Sequence, residues 1–333
     1  MKILFIGGTG IISSAITKQL ADSGVDLTIL NRGIRNTNVP ASVRQIKGDI
    51  GNEEHIKALL ADENFDVVAD FIAFVPEQIQ RDIRLFEGRC KQYIFISSAS
   101  AYQKPLSHYV ITESTPLANP HWEYSRNKIA CEQVLVDAYR NTGFPITIIR
   151  PSHTYDDVSV PLGIHSPKGV WTDLLRMQQG KPVIVPGDGR TLWTTTHNTD
   201  FAKGFIGLLG NPHAIGEAVH ITSDESLTWN QMYEIIAEVL GVKTNLAHVA
   251  SDTLVRLDPS LDGPLHGDKS HTVVFDNSKI KRLVPGFCAT VRFDQGMAIS
   301  IANILARPEL QNFDPEWDAW VDHVVEIAAP TAF

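Results

Sequence analysis

The run Phe5-Ile6-Gly7-Gly8-Thr9-Gly10-Ile11-Ile12-Ser13 constrains this chain more than any other, because it turns an apolar strand at once into a helix. Glycine lacks the Cβ that keeps a phosphate away from backbone, and the free N–H groups of a helix start favour an anion. Residues 2–6 read as a buried parallel strand and 12–20 as a helix with an apolar face. Gly7, Thr9, Gly10, Ile11 and Ile12 are therefore expected to cradle a pyrophosphate, with Gly7 making the turn and Gly10 allowing close approach. The place of a third glycine, where the helix packs on its sheet, holds Ser13, which is small but carries a Cβ.

Further along, short apolar runs at 26–30, 43–46, 66–72, 92–97 and 145–150 read as successive strands. They alternate with helical spacing at 52–61, 76–86 and 122–139, and such alternation means a parallel sheet. The fold class expected is α/β, a doubly wound Rossmann-type parallel sheet with a smaller mixed α/β substrate domain after it. Residues 1–160 would form the dinucleotide-binding domain, with 195–223 returning to it, and 161–333 a lid rich in glycine, proline and tryptophan. The 333 residues, 43% hydrophobic, suffice to bury a substantial core. A net charge of −9 repels a phosphate backbone, which argues against nucleic acid and anionic membrane as partners. Cys90, Cys131 and Cys288 are scattered, giving neither a disulfide framework nor a zinc pattern. No apolar run reaches spanning length, and a cytoplasmic location is expected.

The second strand ends Leu30-Asn31-Arg32-Gly33, where an NAD-preferring enzyme usually places an acid for the adenosine ribose. None is present. Arg32, helped by Arg35, matches a ribose 2′-phosphate in forked geometry, so NADP is expected; the alternative is NAD, with Asn31 serving an unphosphorylated ribose. Asp49 after the third strand can accept from the adenine amino group, with Ile50 against the ring.

Tyr124 and Lys128 lie four residues apart on a predicted helix, which stacks phenol and ammonium on one face. A nearby ammonium favours phenolate, lowering the tyrosine pKa toward the range where it can exchange a proton. Ser98 closes the fifth strand and can hold a substrate oxygen against Tyr124. His153, His165 and His197 share no helix turn with another ligand at zinc spacing, so no metal is expected.

With these residues the chain resembles the extended short-chain dehydrogenase/reductase superfamily, in its NAD-dependent epimerase/dehydratase branch. The resemblance also includes Arg150-Pro151, Gly187-Asp188-Gly189, the stretches 197–202 and 216–222, and Ser278-Lys279. It implies Tyr124 as acid/base, Ser98 as polariser, and Lys128 as both pKa modifier and donor to the nicotinamide ribose. It implies further that Phe71, Ile72 and Ala73 line the cofactor, that Pro151 and His153 flank the nicotinamide, and that helices near 77–88 and 122–140 make a homodimer. Two departures bear on substrate. Ser98-Ala99-Ser100 stands where the dehydratases carry Thr-Asp-Glu, which argues against water elimination. Trp193 stands where nucleotide-sugar epimerases carry the arginine that grips a diphosphate, although Arg190 lies nearby. A smaller or aromatic carbonyl or alcohol is expected instead, with Trp171 and Trp193 as stacking surfaces and His153 orienting it. The activity expected is hydride transfer at a hydroxyl or carbonyl carbon. Its alternatives are nucleotide-sugar epimerisation and, in another class, the non-catalytic NADP-sensing or RNA-binding relatives of this fold.

Overall fold

The computed structural model describes residues 1–34 and 39–328. Strands and helices alternate from the start: β1 (Lys2–Ile6), α1 (Ile11–Asp22), β2 (Asp26–Asn31), β3 (Arg44–Lys47), α2 (Glu53–Leu59), β4 (Phe65–Asp70), α3 (Pro76–Phe86) and β5 (Cys90–Ile96). After the short β6 (Val110–Ile111) come α4 (Glu123–Thr142), β7 (Ile146–Pro151) and β8 (His153–Tyr155). The lid begins with α5 (Trp171–Gln178), β9 (Val183–Pro186) and β10 (Leu192–Trp193). The chain then passes through β11 (Thr195–His197), α6 (Asn198–Leu208) and β12 (Glu217–Ile221). A seven-stranded parallel sheet results, in the order β12-β7-β5-β4-β1-β2-β3.

Period-two alternation along the strands decides what lies on each face. Ile3 and Phe5 point to the side covered by Ile16 and Leu20 of α1 and by Phe201, Phe205 and Leu208 of α6. Leu4 and Ile6 point to the other side, under Ile56, Ile79, Leu85, Cys131 and Leu135 of α2, α3 and α4. A further core gathers Trp193, Trp229, Met232 and Ile301 together with Tyr102, Ile111 and Tyr155 from the first half of the chain.

Sequence and structure agree on the six expected strands, with shifts at the ends that have local causes, whereas the short β6 and β8 were not expected. The strand expected over 66–72 stops at Asp70, because Asp70 Oδ1 accepts from the N–H groups of Ile72 (2.5 Å) and Ala73 (2.9 Å) and turns the chain there. Helix α4 runs three residues past its expected end and stops at Gly143, whose φ of +76° suits glycine. The strand order reverses between β1 and β4, and the loops after both strands face one crevice. No helix among the described residues is long and apolar enough to cross a membrane.

Candidate active site

The crevice begins at the glycine turn. Gly7 and Gly8 have φ of +98° and +87°, and a Cβ on Gly7 would lie 3.0 Å from Ile72 Cγ2. Gly10 caps α1, and its N–H donates to Ser13 Oγ at 2.9 Å, so Ser13 contributes a cap where glycine would only be small. The amides of Ile11 and Ile12, in the first turn of α1, have no intrahelical acceptor and face an incoming anion. Phe71 packs edge-on against Phe5, Ile72 is exposed along the crevice, and Ala73 is buried behind it. These features fit a dinucleotide pyrophosphate.

At the end of β2, Asn31 Oδ1 accepts from Gly33 N at 2.9 Å, which shapes the turn that carries the exposed Arg32. Lys47 of β3 pairs with Asn31 in register, and its side chain lies over Gly33. Sequence reasoning missed this second cation, which only strand pairing brings beside Arg32. Arg35 lies outside the described residues. Asp49 is exposed, with Oδ1 accepting from Gly51 N at 2.9 Å, and Ile50 is buried beside it.

Ser98, Tyr124, Pro151, His153 and Trp193 line one cleft of about 280 Å³, together with Ser100, Trp122, Ser152, Thr154, Asp268 and Phe275. Ser98 Oγ lies 2.9 Å from Ser100 Oγ, which in turn accepts from Ser125 Oγ at 2.7 Å. This hydroxyl chain, unseen in the sequence, orients Ser98. Lys128 is buried, and its Nζ donates to the carbonyls of Ala73 and Ile96, both at 2.7 Å. It thereby ties the loop after β4 to the end of β5.

The expected lowering of the Tyr124 pKa by Lys128 is not what the structure gives. Burial pushes the phenol up, the Ser98 hydroxyl partly offsets this, and the charge of Asp268 adds to it. Lys128 spends its protons on the two carbonyls, sits 5.8 Å from the centre of the Tyr124 ring, and is itself lowered by burial to about 8. A neutral phenol is the resting state, and any pull toward phenolate must come from positive charge placed in the cleft.

One residue further along the same helix face, Glu132, explains the rigidity of this arrangement. Glu132, one turn beyond Lys128, accepts from Ser97 Oγ (2.5 Å), Arg150 Nε (3.0 Å) and Arg150 Nη2 (2.6 Å). It fastens the ends of β5 and β7 to α4, next to Ser98 and Pro151. The spacing 124, 128, 132 was the signal available in the sequence.

In the lid the outcome is mixed. Trp193 lines the cleft, but one face stacks on Trp229 (centroids 5.2 Å apart, 27° between planes). Its Nε1 is buried and has no hydrogen-bond partner among the described residues. Trp171 does not line the cleft and packs against the lid core, so its expected role as a stacking surface is withdrawn. Arg190 is exposed on the Gly187–Gly189 turn, where its N–H donates to Asp188 Oδ1, and it does not line the cleft either. A side chain leaving a surface turn has no sequence signal for its direction. His153 is held neutral, with burial first and then the charges of Lys269 and His165 lowering it to about 3. Asp268, near in space though far in sequence, is the carboxylate of the cleft and lies 3.7 Å from the buried Lys104 Nζ.

A parallel seven-stranded sheet with a glycine turn at its switch point and a Ser/Tyr/Lys cluster at its carboxyl edge defines a dinucleotide-dependent enzyme fold. The NAD dependent epimerase/dehydratase family model matches residues 3–222, and this chain belongs to that family. It is 24% identical to 2'-dehydrokanamycin reductase of Streptomyces kanamyceticus over 288 residues, covering 86% of this chain and 80% of that one. It is 26% identical to the chloroplast stem-loop binding protein of 41 kDa b of Arabidopsis thaliana, covering 72% of this chain and 63% of that one. Among solved structures, UDP-glucuronic acid 4-epimerase from Bacillus cereus, in complex with UDP-glucuronic acid and NAD, superposes with a TM-score of 0.73. That match is at 21% identity and covers 92% of this chain and 99% of that one. The family's members are NAD-dependent reductases, epimerases and dehydratases, and the chain is an enzyme of this oxidoreductase type.

Proposed function

We propose that this protein is an NADP(H)-dependent reductase or dehydrogenase acting on a hydroxyl or carbonyl of a small polar substrate that carries no nucleotide diphosphate. The observation carrying this reading is the lining of the cleft. Among the described residues that line it there is no Lys or Arg; Trp193 stands there instead, and Asp268 contributes a carboxylate. A diphosphate there would meet the Asp268 carboxylate, which already holds its neighbour Lys104, whereas that carboxylate suits hydroxyl or amino groups. Similarity to 2'-dehydrokanamycin reductase over most of both chains points the same way.

In this reading Ser98, oriented by Ser100 and Ser125, donates to the substrate oxygen, and Tyr124 gives or takes the proton at that oxygen. Lys128 donates to the nicotinamide ribose when it is relieved of one carbonyl, and holds the crevice loops together otherwise. Gly7, Thr9, Gly10, Ile11 and Ile12 receive the pyrophosphate; Phe71, Ile72, Ala73, Pro151 and His153 line the rest. When bound, the cofactor supplies or accepts the hydride. Arg32 after β2 and Lys47 at the end of β3 favour the 2′-phosphate of NADP. Two copies pair through α3 and α4, an arrangement that light scattering of the purified protein would test.

The rival reading, nucleotide-sugar epimerisation, is favoured by the likeness to the UDP-glucuronic acid 4-epimerase structure. Incubation with NADPH and a panel of small ketones and keto sugars, in parallel with UDP-sugars, separates the two. Net oxidation of NADPH by a ketone is expected. Interconversion of UDP-sugars with no net change in cofactor would overturn the proposal. An RNA-binding role, suggested by the Arabidopsis relative, fits poorly with a net charge of −9 and the assembled Ser98/Tyr124/Lys128 cluster.

A further inference from the structure

We infer that His121, Asp262 and His266 form a site for a single divalent transition-metal ion, pinning the lid to the start of the catalytic helix. None of the three takes part in the reaction described above.

His266 stands between two carboxylates. Its Nδ1 lies 2.7 Å from Asp262 Oδ1 and its Nε2 lies 3.0 Å from Asp252 Oδ1. An imidazole with one N–H satisfies one carboxylate, so at the other nitrogen a cation, either a second proton or a metal ion, must stand between the two lone pairs. With the proton on Nε2, donated to Asp252, the Nδ1 lone pair is turned toward Asp262. A carboxylate behind a histidine in this way is the usual means of orienting a metal-bound imidazole.

The ring of His121 completes the group. Its centroid is 5.8 Å from that of His266 and edge-on to it, and one donor atom from each of His121, Asp262 and His266 lies within 4.8 Å of the others. Tetrahedral bonds of about 2.0–2.2 Å place donor atoms roughly 3.3 Å apart, so on binding the 2.7 Å contact between His266 Nδ1 and Asp262 Oδ1 opens slightly and the exposed His121 swings inward. Two imidazoles and one carboxylate select zinc or a similarly borderline ion, whereas calcium and magnesium want more oxygen. Three protein ligands leave a fourth position for water.

The local chain is built for this approach. Asp262 and His266 stand four residues apart on a continuous helical segment that runs to Lys269. Gly263 and Gly267 let that segment press on Trp122: a Cβ at either would come within 2.2 or 2.8 Å of the tryptophan. Trp122 follows His121 directly, its ring is 4.9 Å from that of Tyr124, and Asp268 of the same segment lines the cleft. An ion at this place would lock the lid segment against the start of α4.

The test uses full-length protein freed of metal by chelator dialysis, with cobalt(II) as an optical probe and zinc in thermal unfolding. One cobalt per chain with visible ligand-field bands is expected, and zinc should raise Tm by about 2–5 °C. His121→Gln and His266→Gln should each weaken cobalt binding at least 10-fold. Asp252→Asn, which keeps all three ligands, should weaken it about 10-fold without changing stoichiometry. Tyr124→Phe should bind metal as the wild type does, so this result stands whether or not the proton-transfer reading holds. Unchanged Tm with zinc and no cobalt bands would overturn the inference, leaving His266 as a protonated clamp between two acids. Equal binding by wild type and His121→Gln, whose exposed position makes misfolding no explanation, would overturn it as well.

Discussion

Replacing Glu132 tests whether the end of β5 is held in register by a buried ion pair. The Glu132 and Arg150 side chains are 4% and 6% exposed, and the carboxylate takes two guanidinium hydrogen bonds and one from Ser97. Glu132→Met leaves the guanidinium buried with only Tyr102 Oη and the Glu113 carbonyl, at 3.3 and 3.2 Å. Breaking one side of such a pair costs about 3–5 kcal/mol, which for a chain of this size corresponds to a fall in Tm of roughly 6–15 °C. Arg150→Met should cost a similar amount, because it strands the carboxylate. The double variant Glu132→Met/Arg150→Met should recover most of the loss, since an apolar pair of similar volume replaces a desolvated ionic one. Denaturant unfolding of the four proteins without cofactor measures this cycle. Single variants within about 1 kcal/mol of wild type, or a double variant whose loss is the plain sum of the singles, would refute the reasoning.

Three further outcomes follow from the same geometry. Arg32→Ala should weaken NADPH binding about 10- to 100-fold, the value of a charge-assisted contact to phosphate, and leave NADH binding unchanged; equal losses by calorimetry would remove the case for NADP. Gly7→Ala, at a φ of +98° and 3.0 Å from Ile72, should lower dinucleotide affinity more than about 10-fold, and wild-type affinity by fluorescence titration would count against the cradle. His153 is neutral when folded, with its pKa lowered from 6.5 to about 3. The unfolded chain therefore binds the extra proton between those values, and stability falls as pH drops through that window. His153→Gln should reduce the stability lost between pH 7 and pH 4 by about 2–3 kcal/mol, and an unchanged pH slope in denaturant melts would rule this out.

Much of this fold was legible because its signals are local. The glycine turn, the strand alternation and the Tyr124/Lys128 interval each lie within a few residues, and each occupies the crevice edge. What could not be read is what distant segments do to one another. Lys128 is four residues from Tyr124, yet its protons go to carbonyls 55 and 32 residues away in sequence. Burial by the lid, with Asp268 arriving from the far end of the chain, raises the phenol that the pair alone would lower. Trp171 and Trp193 look alike as lid tryptophans, but only the one next to β11 is carried to the cleft. Lys47 gained its place beside Arg32 through strand pairing, which periodicity does not specify.

The most direct measurement is single-turnover reduction of a ketone substrate by saturating NADPH with wild type and Tyr124→Phe. Removal of the Tyr124 hydroxyl should slow the step by about 10²- to 10⁴-fold while the dissociation constant for NADPH stays the same. A Tyr124→Phe enzyme that turns over within a few-fold of wild type would show that the proton comes from elsewhere.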